Sequence, residues 1–470
     1  MAAAPAFTPW CEGTLTERVV AGVLCTLRTS PTALATAVPG RPYFSRRKGA
    51  VAYNRSPMKP RNYGAIALLA MFTFFERFAY YGFRSTAFLR LMHEGGMEGA
   101  RIRTVMSFTP GALVLGLMIG GGLSLATRNR FLLAAAALLL ALIQGLAAAF
   151  PLAGIVVLPV AAGLVRPLVY LAAAEEIDQE GRVWKAVAVG VVIYGANNAG
   201  AFFSSLVAPG AREVSPVLGS AVPVVGAVAA MIPCVVLAFA LPGAPFRWGS
   251  HEALVVGAQP APYRPEPAVS RATSAPSPWI LALVIGAMLF SNCAQDAQGS
   301  AAFEALERGS SSSVRWVTML NPLVVVFVGV LVASLGGYLA STRSRVSPTW
   351  PFGAALGAQV LAVAITAVAF ISLSFAAAVG GTVLDALAEG VAAPIALGYV
   401  LGTLSSRWVG VVGAGYGVVT SVAGAALSPL LGHREAMVPV LVLSALFLLV
   451  AAVSTLVLGP RLHRGSDQAT

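Results

Sequence analysis

Glu76, Arg77 and Arg84 lie in the stretch TFFERFAYYGFR, residues 73–84, inside an apolar run from about Tyr63 to Leu91. At helical spacing Thr73, Glu76 and Tyr80 share one face (i, i+3, i+7), and Arg77, Tyr81 and Arg84 share the next (i, i+4, i+7). One carboxylate and two guanidiniums are thereby aimed at one sector of a helix long enough to cross a bilayer. A carboxylate in such a place can take and give protons, and a guanidinium can hold an anion. A charge at the bilayer centre costs roughly 2.5–3.5 kcal/mol on insertion scales. Three in one span require partners or a water-filled path. The plain alternative is an interhelical salt bridge that only ties a bundle together.

Other spans carry similar residues, which weighs against that alternative. Arg166-Pro167 places a cation beside a helix kink. Asn197-Asn198-Ala199-Gly200 sets two amides next to small residues that permit close helix approach. Gln295, Asp296 and Gln298 precede Gly299-Ser300, Asn321 precedes Pro322, and Asp385 and Glu389 precede Pro394. Arg77, Arg84 and Arg166 fall in the first half of the chain; Asp296, Asp385 and Glu389 fall in the second. Opposite signs facing one another across an interface pair when the halves close and separate when they open.

The elements that must position these residues follow from composition. Of 470 residues, 57% are hydrophobic and only 11% are charged. Soluble domains carry about 25% charged residues. A soluble fold could not hide this much apolar surface, so the composition requires a polytopic membrane protein. The net charge of +12 is read as basic cytoplasmic loops, and no basic patch interleaved with aromatics points to nucleic acid. Cys11, Cys25, Cys234 and Cys293 match no metal or CxxC spacing and are read as free thiols. His93, His251, His433 and His463 lie in loops or tails without metal-ligand spacing. No nucleophile motif is present, so neither an enzyme nor a metal or other cofactor is expected.

Twelve apolar segments are read: 63–91, 103–126, 131–150, 153–174, 186–209 and 218–242, then 278–299, 316–340, 350–373, 376–401, 408–431 and 436–459. Each is near the ~20 residues that a membrane helix needs. Continuous apolar runs exclude barrel strands, which would alternate. The expected fold is therefore an all-α membrane protein of twelve helices in two six-helix bundles. Residues 58–242 form the first bundle and 278–460 the second, joined by a proline-rich linker at 243–277 and followed by a tail at 461–470. Such symmetry suggests a carrier with a midplane site. Residues 1–57 read as a basic disordered tail, or as an upstream start with Met58 the true first residue; Arg46, Arg47 and Lys48 suit anionic lipid. Lysine and arginine favour cytoplasmic termini and linker: Lys59, Arg61, Arg128, Arg130, Arg182, Lys185, Arg247, Arg264, Arg271, Arg343, Arg345, Arg407, Arg461 and Arg464 lie on that side, against Arg101, Arg103, Arg212, Arg308, Arg315 and Arg434 on the other. The expected location is a multi-pass position in a bacterial inner membrane.

These residues resemble the proton-dependent oligopeptide transporter family of the major facilitator superfamily. The family's first-span motif E-x-x-E-R-F-x-Y-Y-G stands here as Thr73-x-x-Glu76-Arg77-Phe78-x-Tyr80-Tyr81-Gly82, followed by the matching Arg84. G-x-x-K-P matches Gly163 to Pro167 with Arg166 for lysine, and N-x-G matches Asn198 to Gly200. Asp296 stands before Gln298-Gly299-Ser300, Asn321-Pro322-Leu323 matches N-P-L, and Glu389 to Pro394 matches E-x-x-x-S-P with Ala393 for serine. The resemblance implies the major facilitator fold and proton-driven symport of di- and tripeptides by alternating access. It implies proton coupling at Glu76, Arg77 and Asp296. Tyr80, Arg166, Asn198, Asn321 and Glu389 would bind the peptide, with Glu389 at its amino terminus and Arg166 at its carboxylate. Arg166 with Glu389 would form an inner gate pair and Arg84 with Asp296 an outer one.

The chain also departs from the pattern. Thr73 replaces the motif's first glutamate, Arg166 stays protonated where a lysine could be neutral, no tyrosine occurs between Tyr81 and Tyr170, and Arg128 and Arg130 lack the usual aspartate. The linker is too short for two additional helices. Two other readings are kept open. One is a carrier of nitrate, a carboxylate or a drug-like solute. The other is a non-transporting sensor or scaffold built on a degenerate carrier. The expected partners are a short peptide or related solute, protons and lipid, with no nucleic acid.

Overall fold

The structure, a computed structural model, describes residues 63–93, 95–97, 105, 108–126, 130–177, 182–239, 278–309, 311–341, 347–404, 406–431 and 434–468. The tail at 1–57 and the linker at 243–277 lie outside the described residues. The described chain forms twelve α-helices: α1 (Tyr63–His93), α2 (Thr109–Ala126), α3 (Arg130–Ala149), α4 (Pro151–Glu175), α5 (Arg182–Val214), α6 (Pro216–Phe239), α7 (Pro278–Gly309), α8 (Ser311–Ser341), α9 (Thr349–Ser372), α10 (Phe375–Thr403), α11 (Ser406–Leu431) and α12 (Arg434–Gln468). Ten of them are long and apolar enough to cross a membrane, and α8 and α11 hold shorter apolar stretches at Met319–Val332 and Trp408–Val422. The chain is an integral, multi-pass membrane protein. In hydrocarbon every backbone N–H and C=O must be bonded within its own segment, and continuous apolar sequence therefore folds as helix.

Several helices outrun the apolar runs read from sequence. α7 continues through Glu304 and Arg308 to Gly309, and α12 reaches Gln468. A helix does not have to stop where the hydrocarbon stops. Short turns join some neighbours: Phe150 alone separates α3 from α4. Between α9 and α10, Leu373 adopts the left-handed region (φ 55°), and Ser374 caps α10 by accepting from the Ala377 N–H at 3.3 Å.

Everything described from Gly64 onward belongs to one compact unit. One core gathers Leu69 and Phe72 of α1, Leu133 of α3, Val165 of α4, Ile193 of α5 and Leu237 of α6. A second gathers Ile280 and Val284 of α7, Phe352 and Leu356 of α9, Tyr399 of α10 and Leu441 of α12. Each core borrows from the other half: Leu397, Leu401 and Val409 join the first, and Trp184, Val187 and Val191 join the second. Large apolar side chains such as Leu142, Leu146, Ile232, Leu331 and Phe447 are exposed on the outer faces, as a lipid-facing surface requires.

In lipid the hydrophobic effect does little to bring helices together, and close van der Waals packing takes over. Glycines supply that packing. A methyl group on Gly116 or Gly120 of α2 would stand 2.0 or 2.2 Å from the carbonyl oxygens of Val160 and Leu164 on α4. The two halves meet in the same way. Gly410 of α11 lies against Ser124 of α2, Gly413 against Tyr170 of α4, and Gly398 of α10 against Val187 of α5. Helices alternate in direction, and all these residues lie towards the end of the bundle at which the odd-numbered helices begin. The halves are therefore sealed to one another along a glycine seam at that end.

A methyl added at Gly398 would sit 2.5 Å from the Val187 side chain and 2.7 Å from its Cα, whereas one added at Gly380 of the same helix meets nothing within 4 Å. Gly398→Ala should lower the midpoint of thermal unfolding in detergent, reflecting the ~1–3 kcal/mol of an overpacked site. Gly380→Ala should leave it unchanged. Equal midpoints for both variants would show that the seam tolerates bulk.

Candidate functional site

Halfway along α1, Glu76 and Arg77 are almost wholly enclosed, at 3% and 2% exposure. Arg77 Nε lies 2.8 Å from Glu76 Oε2. The N–H does not aim at that oxygen, and Arg77 Nε, Arg77 Nη1 and Glu76 Oε1 have no hydrogen-bond partner. The Arg77 guanidinium also stands 5.5 Å from the centre of the Tyr80 ring, a cation–π contact one turn along the helix. Thr73 does not serve this cluster. Its hydroxyl donates to the Leu69 carbonyl of its own helix at 2.8 Å.

Arg166 of α4 belongs to the same group. It is half-buried, its Nε has no hydrogen-bond partner, and its electrostatic neighbours are Arg77, Glu76, Tyr170 and Tyr81. Two guanidiniums, one buried and one half-buried, thus share one carboxylate, so this cluster carries net positive charge. α5 closes this group from the side. A methyl on Gly200 would stand 2.3 Å from the Phe74 carbonyl and 2.9 Å from Arg77 Cβ. Gly200 lets the α5 backbone lie directly beside the arginine, which gives the Asn198-Ala199-Gly200 motif a physical reason. Asn198 is buried and donates from Nδ2 to the Tyr194 carbonyl at 3.0 Å.

The second half answers with Glu389 of α10. Its Oε1 accepts a short hydrogen bond from the Tyr194 hydroxyl of α5, and its Oε2 accepts from Asn321 Nδ2 of α8 at 3.2 Å. Tyr416 of α11 stands in the field of Glu389, Arg166 and Tyr170 together. One cation of the first half, Arg166, and the carboxylate of the second thus both act electrostatically on this tyrosine. Prolines flank the group: Pro167 follows Arg166, Pro322 follows Asn321, and Pro394 lies five residues beyond Glu389. Each lacks the N–H that would bond the carbonyl four residues back, which loosens the helix beside a charge.

The structure brings together Glu76, Arg77, Tyr80 and Arg166 on one side, and Glu389 with Asn321 on the other. It forms neither gate pair as a direct ion pair among the described residues. Glu389 is held by two neutral donors, not by Arg166. Arg84 and Asp296, both exposed, act on one another electrostatically without a bond. They lie towards the end of α1 and α7 opposite the glycine seam. Tyr194, Tyr170 and Tyr416 were missed by the reading of the sequence. Tyr194 stands one helical turn before Asn198, on the same face, and that spacing was its available signal. Tyr416, between Gly415 and Gly417, has none. Among the described residues no group of three His, Cys, Asp or Glu side chains could hold a metal ion, and Cys234 and Cys293 are free thiols.

No family model matches the chain, and no curated protein sequence matches it. Solved structures do. A peptide transporter, POT, aligns with a TM-score of 0.56 at 18% identity, covering 85% of this chain and 95% of that one. The major facilitator superfamily proton:xylose symporter XylE, bound to 6-bromo-6-deoxy-D-glucose, aligns with a TM-score of 0.60 at 15% identity, covering 83% and 94%. A bacterial homologue of the iron transporter ferroportin, in an outward-facing state, aligns with a TM-score of 0.57 at 13% identity, covering 83% and 98%. Identities this low speak for architecture alone: the twelve helices have the major facilitator fold.

Proposed function

We propose that this chain is a secondary active transporter that carries short zwitterionic solutes, di- and tripeptides or peptide-like molecules, together with protons. One observation carries the reading: Glu389 of the second half is bonded across the boundary by Tyr194 of the first, while Arg166 of the first half keeps a buried Nε without a hydrogen-bond partner. A dipeptide zwitterion needs one fixed cation and one fixed anion about a peptide length apart. Its carboxylate would take up the unpartnered N–H groups of Arg166 and Arg77, with a charge-assisted hydrogen bond. Its ammonium would displace Tyr194 and Asn321 from Glu389. Because Tyr194 and Glu389 belong to opposite halves, that exchange couples occupancy to the contact between bundles. Alternating access follows as a rocking of the halves, with Glu76, Arg77 and Asp296 as the proton-coupling groups. With the cytoplasmic termini that the arginine and lysine distribution favours, the glycine seam would face the cytoplasm, and this arrangement would be the one closed on that side.

A second reading is favoured by the cation excess on the first half. Arg77 and Arg166 against Glu76 would also suit a lone anion such as nitrate or a small carboxylate. Parallel uptake of labelled dialanine and of nitrate by proteoliposomes separates the two.

Glu389→Ala should weaken binding of dialanine about ten- to a hundredfold, the ~1.5–3 kcal/mol of a hydrogen bond to a charged group. N-acetylated dialanine should lose much less. Equal losses for the two ligands would rule out contact between Glu389 and the amino terminus. Separately, Glu76→Gln should abolish accumulation of dialanine driven by a pH gradient while counterflow exchange continues. Undiminished uphill uptake in that variant would remove Glu76 from coupling.

A further inference from the structure

Asp385 plays no part in the site above, yet it is among the most enclosed charged groups of the described residues, at 7% exposure. It stands on α10 one helical turn before Glu389, so two carboxyl groups share one face. Its hydrogen-bond partner is neutral: Gln359 Nε2 of α9 donates to Asp385 Oδ1 at 3.1 Å. Behind it, Gln359 Oε1 accepts from Ser291 Oγ of α7 at 2.8 Å. Gln359 is fully buried and Ser291 nearly so. A chain of polar groups, Ser291–Gln359–Asp385, thus crosses the three helices α7, α9 and α10 inside the second half.

Among the described residues no cation acts on this chain of polar groups. The group acting on Asp385 by charge is Glu389, of like sign. From the elements packed on α10, Tyr194 of α5 and Asn321 of α8 are engaged with Glu389, and Gln298 of α7 donates to the Gly381 carbonyl. Arg166 of α4 acts instead on Tyr416 of α11. An ionised carboxylate buried without a cation, beside a second carboxylate, is a costly arrangement that a proton relieves. The amide and the hydroxyl are suited to either state. Gln359 offers both a donor and an acceptor, and Ser291 can donate or accept. When Asp385 carries a proton, the amide can turn over and accept from it, and Ser291 reverses to match.

We propose that Ser291–Gln359–Asp385 is a proton-binding site in the second half of the molecule, with Asp385 as the carboxyl that takes the proton. Losing that proton places a second negative charge one turn from Glu389 and turns the Gln359 amide between α7, α9 and α10. The proton site thereby reports to the group that would hold the solute's ammonium. Its part in coupling rests on the transport reading; its protonation does not.

The test uses the full-length protein in lipid nanodiscs and infrared difference spectra taken across a pH titration. A carbonyl band of a protonated carboxyl should be lost in Asp385→Asn and persist, displaced, in Glu389→Gln. Gln359→Leu removes the hydrogen-bond partner and should move the same band while leaving the carboxyl in place, which keeps the assignment testable if Asp385→Asn fails to fold. Spectra in which neither Asp385→Asn nor Gln359→Leu alters a protonated-carboxyl band overturn the proposal. In proteoliposomes Asp385→Asn should cut the accumulation of labelled dialanine driven by a pH gradient at least fivefold and spare counterflow. Unchanged accumulation overturns the coupling role. Wild-type protein that moves no dialanine in either assay overturns the transport reading and leaves the infrared assignment standing.

Discussion

The hydrogen bond from Tyr194 to Glu389 joins the first six helices to the last six at a depth where both carry charge. The backbone makes it possible. Gly190 lies one turn before Tyr194, and a methyl there would stand 2.9 Å from the Pro394 carbonyl of α10. α5 and α10 therefore run in near contact, and a tyrosine on one reaches a carboxylate on the other. Asn321 completes the hold from α8. Without that approach Glu389 would be a half-buried carboxylate with a single donor, an arrangement that membranes and protein interiors both penalise.

The charges of the first half follow a different logic. Arg77, Arg166 and Glu76 are grouped, yet their hydrogen bonds are incomplete. A structural salt bridge would have its donors and acceptors matched, because a half-satisfied buried network is less stable than an apolar core. Arg77 sits loosely on Glu76 and Arg166 Nε has no hydrogen-bond partner; the proposed solute site draws on both. Thr73, whose hydroxyl is spent on its own helix, leaves Glu76 as the acidic group of this cluster.

Helix positions were legible because a membrane enforces them: long apolar runs have few other ways to bond their backbone. The charged residues stood out for the same reason, since a charge such as Arg166 or Glu389 within such a run needs partners. Helix ends were less so, as α7 and α12 continue past the apolar stretch. The partners of the charges were not legible. Tyr194 and Tyr416 are ordinary residues for a membrane helix, and proximity to Glu389 is a fact of tertiary packing. Gln359 stands 26 residues from Asp385, and no spacing rule connects positions on different helices. Gly200 was visible as a small residue, but its contact with Arg77 needed the structure.

The glycine seam has a further consequence. Faces that meet through backbone and small side chains immobilise few rotamers on closing, whereas Trp184, Val187, Leu397 and Leu401, buried across the same boundary, add apolar area that holds it shut. At Gly398 and Gly410 themselves no large side chain is threaded through the joint. If the halves alternate as proposed, the seam is where a bias of a few kcal/mol from one ligand or one proton would be felt.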